Sequence, residues 1–403
     1  MVATVTPYTD LRNRAAVGEG FDGVVRVLVN GFYGTGALLF DGHAILTAAH
    51  LFTSGSTSGT VIFETAAGSQ SVPASGAQLQ TAYDAGPGNS DLAIIWLSGS
   101  APITAERYNP YRSSDEIGKT MTLVGYGVPG TGATGELSNY SGSPIRLKAQ
   151  NQFEADASSL KAVLGAGMGW TPTPGSQLVA DFDNGTVKQD ALGSLLHLSG
   201  TGLGQGEGMI TPGDSGGPAF INGQIAGVAS YTTSLMRNGV ATDIDNVSDN
   251  SSFGELAAWQ RVSYYQQWID QSLRAHYPDA PTQPGQVKKA VVEGNSGTSY
   301  AYFLVQFTGV RSDAAQLLSV DYSTRDGTAK AGQDYLLAFG TLVIYPNENQ
   351  AVVPIEIMGD TTPEPDETFY LDITHPVGGS FGEGVITLTA VRTIVNDDGS
   401  FFA

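Results

Sequence analysis

No cysteine occurs anywhere in the 403 residues, so no disulfide, thiolate nucleophile or thiolate metal site can form. Basic residues are scarce: 19 Lys and Arg stand against 39 Asp and Glu, for a formal charge of -20. A nucleic-acid partner needs a basic footprint to neutralise phosphates, and this balance argues against one. The acidic surplus leaves two readings open, general solubility or carboxylates gathered to hold calcium. Long apolar runs are missing too, and no stretch approaches the roughly 20 residues that span a bilayer as a helix. Met1 to Leu11 lacks the charged-then-apolar pattern of a secretory leader. A start after a removed leader and an intracellular protein both fit that observation.

What is present is glycine, at 52 positions, and short alternating apolar runs. Val24–Val29, Gly36–Phe40, Ala93–Leu97, Met121–Val124 and Gln224–Ala229 read as strands between Gly, Ser, Asn and Thr turns. Many short strands at that spacing predict a sandwich or barrel. One helix is predicted near Val262 to Ala275, where Tyr265, Trp268, Ile269 and Leu273 recur at helical spacing. Pro278, Pro281 and Pro284 follow; three prolines so close cannot sit in a helix or sheet, so 277–286 is expected to be a stiff linker. Beyond it, runs such as Ser319–Ser323 and Val352–Ile357 predict a β-sandwich of immunoglobulin size over 287–403. The expected organisation is an N-terminal extension or propeptide (1–19), a catalytic domain (20–276), the linker, and the sandwich.

Three motifs in the first domain carry chemistry. Ile45-Leu46-Thr47-Ala48-Ala49-His50 sets a histidine after an apolar strand, and Asn89-Ser90-Asp91-Leu92-Ala93-Ile94 sets an aspartate at the mouth of the next buried one. Gly213-Asp214-Ser215-Gly216-Gly217-Pro218 sets a serine in a glycine-rich turn. A serine hydroxyl is a weak nucleophile until a base takes its proton. Histidine, titrating near neutrality, suits that role, and a buried carboxylate fixes the imidazole tautomer. His50, Asp91 and Ser215 are therefore the candidate base, orienting acid and nucleophile. The N–H groups of Gly213 and Ser215 are the candidate oxyanion donors. No cofactor is needed for such catalysis.

Thr47-Ala48-Ala49-His50 and the Gly213–Pro218 run resemble the two most specific signatures of the trypsin/chymotrypsin family, in the family's His, Asp, Ser order. Asp91-Leu92-Ala93 and Gly125-Tyr126-Gly127 look like two further family motifs. The resemblance spans about residues 20–275. It implies an all-β fold of two six-stranded β-barrels with a C-terminal helix, and serine endopeptidase activity on protein or peptide substrates. It also implies that Met209 floors the pocket for the residue before the scissile bond and that Ser230, Tyr231 and Thr232 wall it. Methionine offers no charge and Thr232 narrows the entrance, so small or medium apolar residues are expected there. The family's usual activated N-terminus has no clear counterpart. Cleavage after Arg14, and a cleft that forms without activation with Asp214 bonded internally, are the two alternatives.

The tail has its own signature. Val320-Asp321-Tyr322-Ser323-Thr324-Arg325-Asp326-Gly327-Thr328-Ala329, then Gln333-Asp334-Tyr335, Glu364-Pro365-Asp366-Glu367 and Asn396-Asp397-Asp398, resembles the Calx-beta domain. That resemblance implies calcium at Glu293, Asp334, Asp360, Glu364, Glu367, Asp397 and Asp398. A solvated acidic end on a structural sandwich is the other reading. Two functions follow: a secreted or cell-surface protease carrying this sandwich, or a calcium-dependent adhesion protein using the protease fold as scaffold. The second predicts a damaged triad, yet all three residues are in place.

Overall fold

The computed structural model describes residues 2–52, 55, 57–86 and 88–399. Residue 1 of the anticipated extension and residues 400–403 of the anticipated sandwich lie outside the described residues. The chain divides into two compact units, Met1–Leu39 with His43–Trp268, and Phe40–Gly42 with Ile269–Ala403.

In the first unit, six strands close into a barrel: β1 (Val24–Val29), β2 (Phe32–Leu38), β3 (Ala44–Thr47), β4 (Thr60–Thr65), β5 (Gly68–Leu79) and β6 (Ala93–Leu97), in the order β1-β2-β3-β6-β5-β4. Alternation turns Val25, Val27 and Val29 of β1 inward with Leu38, Ile45, Phe63 and Ile95. Asn30 and Gly31 both take positive φ, at 52° and 83°. That is the two-residue turn whose twist matches the flanking strands, so β1 and β2 pair without a bulge.

Six further strands follow: β7 (Thr120–Gly125), β8 (Leu147–Gln152), β9 (Gln177–Asp181), β10 (Pro218–Ile221), β11 (Gln224–Thr233) and β12 (Leu256–Arg261). They are ordered β8-β7-β10-β11-β12-β9. The two edges of this sheet belong to one stretch of chain. β8 pairs with β7, and its continuation Ala155–Asp156 pairs with β9. At the bend, Phe153 N–H donates to Lys119 O at 3.1 Å and Glu154 N–H to Val179 O at 2.9 Å. The second barrel thus has seven strands in its sheet, the expected six plus the short Ala155–Asp156 continuation, and it is a half-barrel beside the closed first one among the described residues.

Helices α1 (Ala157–Leu164) and α2 (Ala191–Leu196) flank β9 in sequence, and α3 (Val262–His276) follows β12. Tyr265, Ile269 and Leu273 of the predicted stripe are buried in α3, and Trp268 is half-buried. Residues 2–4 are also built in. Ala3 and Thr4 pair with Met209 and Gly208 on one side and with Gly130 and Thr131 on the other.

The second unit carries β13 (Ala290–Val292), β14 (Thr298–Gln306), β15 (Leu318–Asp326), β16 (Phe339–Ile344), β17 (Gln350–Met358), β18 (Glu367–Val377) and β19 (Thr387–Val395). Five form one sheet, β13-β19-β18-β15-β16, and β14 pairs with β17. Phe303, Tyr335, Ile355, Phe369 and Leu371 fill the space between the sheets. This is the expected immunoglobulin-like β-sandwich. Among the described residues, no helix is long and apolar enough to cross a membrane.

Candidate active site

β3 runs antiparallel to β6, with Thr47 opposite Ala93. The residues just after β3 and just before β6 therefore meet at one end of the first barrel, and these are His50 and Asp91. Asp91 is buried at 2 % exposure. Its Oδ1 accepts the His50 backbone N–H at 2.8 Å and its Oδ2 lies 2.7 Å from His50 Nδ1. An ionised Asp91 places the ring proton on Nδ1, leaving the Nε2 lone pair free to take a proton. Ser90 stands at φ +55°, and this left-handed step sets the aspartate at its angle.

Ser230 Oγ donates to the same Asp91 Oδ2 at 2.6 Å. Behind it, Gln260 Nε2 donates to Ser230 Oγ at 3.2 Å and to Gly88 O at 2.7 Å. Ser230 sits where the β11–β12 register shifts, between Ala229 and Tyr231. A bulge of this kind re-aims a side chain, and here a residue expected to wall the pocket turns its hydroxyl onto the carboxylate. No local motif announces this contact across 139 positions.

The serine turn is shaped by close approach. Gly213 takes φ +95°, and a Cβ there would lie 2.6 Å from the Tyr33 ring and 2.9 Å from Gly127 Cα. Asp214 is buried; its Oδ1 accepts Gly127 N–H at 2.8 Å, and its Oδ2 accepts Thr211 N–H at 2.9 Å and Thr211 Oγ1–H at 3.0 Å. Burial pushes the Asp214 carboxyl above its ordinary value, and the Thr211 donors oppose that shift. A Cβ at Gly125 would fall 2.0 Å from Asp214 Oδ1, the physical reason for glycine at the start of Gly125-Tyr126-Gly127.

Around the nucleophile, Asp214 N–H donates to Thr211 O, Gly216 N–H to Ala229 O and Gly217 N–H to Asp214 O. The N–H groups of Gly213 and Ser215 make no such bond among the described residues, the condition an oxyanion hole requires. Thr35 ties this loop to the first barrel. Its N–H donates to Ser215 O at 2.9 Å and its Oγ1 to Gly213 O at 2.9 Å, while its carbonyl accepts Thr47 Oγ1–H at 2.7 Å. A Cβ on Gly216 would fall 2.7 Å from Ala48 N, so the serine turn lies against the strand end that carries His50. The Ser215 hydroxyl makes no hydrogen bond to the imidazole among the described residues, and such bonds commonly tighten only with substrate bound. Thr35 is a site residue that the sequence reading missed, and nothing in its neighbourhood marks it.

Beside His50 lies a cleft of about 330 Å³ walled by Tyr83, Trp170, Tyr231 and Thr232. Trp170 stands edge-on to Tyr231 with centroids 5.8 Å apart, and Tyr231 OH donates to Gln177 Oε1 at 2.8 Å. The β11 edge beyond Ala229 is paired with β12 on one side only among the described residues, since β10 ends its pairing at Val228. Met209, expected at a pocket floor, is fully buried in the cluster that holds Val2, Ala3 and Phe253, its short strand paired with Ala3–Thr4, and it is not among the residues lining this cleft.

Six of the seven tail acids gather in two groups, Glu293 with Asp360 and Asp398, and Asp334 with Glu364 and Glu367. Within each group one oxygen per residue lies within 4.8 Å of the others. Asp397 stands apart, its Oδ1 accepting Gly294 N–H at 3.0 Å. Burial, then the charge of Asp360, pushes Glu293 up to about 7. Burial, then contact with Asp334, pushes Glu367 up to about 7.

A trypsin family model matches residues 13–250, and a Calx-beta domain model matches residues 286–398. Sodium/calcium exchanger 2 of Mus musculus is 32 % identical over 153 residues, covering 31 % of this chain and 17 % of the exchanger. Sodium/calcium exchanger Calx of Drosophila melanogaster is 35 % identical over 91 residues, 22 % of this chain and 9 % of that protein. The chain thus spans less than a fifth of these relatives' length. The solved structure of neuropsin, a serine protease expressed in the limbic system of mouse brain, aligns at a TM-score of 0.46 with 14 % identity, over 65 % of this chain and 98 % of that one. The trypsin match covers more than half of the chain, which therefore belongs to the trypsin family and carries a Calx-beta domain after its two barrels.

Proposed function

We propose that the chain is a serine endopeptidase working through an acyl-enzyme. The observation that carries this reading is the buried Asp91 gripping the His50 ring at 2.7 Å, next to a serine turn with two N–H groups that make no backbone hydrogen bond among the described residues. In the reaction, His50 Nε2 takes the Ser215 proton as Oγ attacks the scissile carbonyl. The N–H groups of Gly213 and Ser215 receive the oxyanion. The imidazolium, stabilised by Asp91, then returns its proton to the leaving amine, and water repeats the cycle on the ester. No cofactor enters.

The substrate lies along the one-sided edge Ser230–Thr233 as an added strand. Its residues before the scissile bond face Tyr83, Trp170 and Tyr231. Among the described residues Asp91 is the one carboxylate on this cleft wall, and His50 and Ser230 hold it, so they offer a basic side chain no free charge. Preference after small or medium apolar residues follows, now resting on Thr232 and the aromatic wall rather than on Met209.

The tail acids fit calcium: their donors are all oxygen, and Asp398 Oδ2 is buried with no hydrogen-bond partner among the described residues. Glu293, Asp360 and Asp398 would hold one ion, and Asp334, Glu364 and Glu367 another. An extracellular or cell-surface setting, where calcium is plentiful, suits this pairing.

The test is labelling with a fluorophosphonate. Wild-type chain should label at Ser215, and Ser215→Ala should lose the label and about a million-fold in turnover. A wild-type chain that fails to label, or a labelled Ser215→Ala, overturns the reading. A peptide panel varied at the residue before the cut checks specificity, and faster cleavage after Arg or Lys than after Ala, Val or Leu refutes it.

A further inference from the structure

Some buried acids of the protease unit meet an arginine: Asp22, 1 % exposed, pairs with Arg146 at 2.5 Å, and Glu116, fully buried, pairs with Arg261. Another group of acids gathers without one. Asp181 ends β9 at 0 % exposure, Asp183 follows at 3 %, and Glu154 stands at the bend of the barrel-closing strand. One oxygen from each of the three lies within 4.8 Å of the others. No Lys, Arg or His pairs with any of them among the described residues.

Their hydrogen bonds leave oxygens over. Asp181 Oδ2 accepts Leu192 N–H at 2.6 Å, while Asp181 Oδ1 and Asp183 Oδ1 are buried without a donor. Glu207, also buried, accepts Asp183 N–H at 2.7 Å through Oε1 and Leu203 N–H through Oε2. It positions the Asp183 backbone, and each of its oxygens already holds one N–H. Two carboxylate oxygens sealed from water with nothing to bind are costly, on the order of 1–3 kcal/mol each or more for a charged group.

A way in exists. Glu154 lines a cleft of about 230 Å³ together with Asn151, Gln152, Leu198, Gly200 and Leu203. The loop beyond the cleft presses its backbone onto the cluster. Gly202 has φ +92°, and a Cβ there would lie 2.0 Å from Glu207 Oε2 and 2.6 Å from Asp183 Cβ.

We propose that the protease unit has its own site for a hard divalent cation, of which calcium is the type, held by Glu154, Asp181 and Asp183. Three carboxylate oxygens with water entering from the cleft supply an all-oxygen shell, which calcium accepts at six to eight ligands without strict geometry. With no sulfur or imidazole donor in the group, softer metals have no advantage. Without the ion the group must hold protons instead. Burial first, then the charge of Asp181, drives Glu154 up to about 10, and burial, then Asp181 and Glu207, drives Asp183 up to about 9. The site is separate from the sandwich acids.

Equilibrium dialysis of the full chain against radioactive calcium tests it, in a background where Asp334→Asn and Asp360→Asn weaken the sandwich groups. That chain should still bind an ion at millimolar calcium, and adding Glu154→Gln or Asp183→Asn should lower the stoichiometry by one. Glu154 is only half-buried on the cleft wall, so Glu154→Gln remains informative if Asp183→Asn misfolds; thermal melts verify folding. A background chain that binds no calcium, or an unchanged stoichiometry in folded Glu154→Gln, overturns the proposal and leaves a proton-sharing carboxyl group in its place.

Discussion

Ser230 and Asp91 are joined by a 2.6 Å hydrogen bond that ends on the oxygen already holding the His50 ring. The carboxylate therefore has its charge spread over two side-chain donors and one backbone donor, and its angle to the imidazole is fixed from the second barrel. A hydrogen bond to a charged group contributes about 1.5–3 kcal/mol. Ser230→Ala should lower kcat by about 10-fold or more and leave KM nearly unchanged, because the bond serves the imidazolium rather than substrate binding. Steady-state kinetics on one peptide separates the two, and a change in KM alone would contradict this role.

Ala3 is fully buried and paired with Met209. Ala3→Asp puts an unpaired charge at that point, with a penalty of about 3 kcal/mol or more. The protease unit should melt about 5–10 °C lower, read by calorimetry on the full chain. From sequence the same stretch is expected to be an extension or propeptide, and an unchanged melt would favour that.

Calcium should stabilise the sandwich by mass action, by about 2.7 kcal/mol at 100 times the dissociation constant. Chelation should lower its calorimetric transition, and Asp360→Asn together with Asp334→Asn should abolish most of the shift. A transition indifferent to chelator would identify the acids as a solvated surface.

Tyr231 offers a pH test. Burial raises its phenol to about 12, with the Trp170 hydrogen bond opposing. An unfolded phenol titrates near 10, so the folded state favours the protonated form. That contribution is complete below about pH 10 and is lost as pH rises through about 12. Phenolate absorbance, taken as the difference from Tyr231→Phe, should emerge near 12. Emergence near 10 would show that the Trp170–Tyr231 wall is open to water.

Much of this molecule is legible in its sequence for a physical reason. Thr47–His50 and Gly213–Pro218 are contiguous because a strand end and a tight turn must each be built from neighbours. Gly125 and Gly213 mark places where a side chain would collide. The α3 stripe and the sandwich runs follow from periodicity. What stayed hidden depends on distant partners. Ser230 and Asp91 meet through a bulge, Thr35 acts through its backbone and its hydroxyl on a loop 178 positions away, and Glu154, Asp181 and Asp183 come from segments that each look like ordinary turns. The pairing of Met209 with Ala3 likewise joins segments about 200 positions apart, and no local pattern shows it.

The strand that changes partners at Phe153 and Glu154 gives the second barrel a clasp. Elsewhere its staves are held by ladders, but there the load passes through covalent backbone and two single hydrogen bonds. Opening begins where such fastening is thinnest. Because Glu154 is both the catch of the clasp and a proposed ion ligand, part of the barrel's closure is handed to the surrounding medium. Whatever occupies that carboxylate tightens the clasp, and whatever strips it loosens the clasp with His50 and Ser215 untouched.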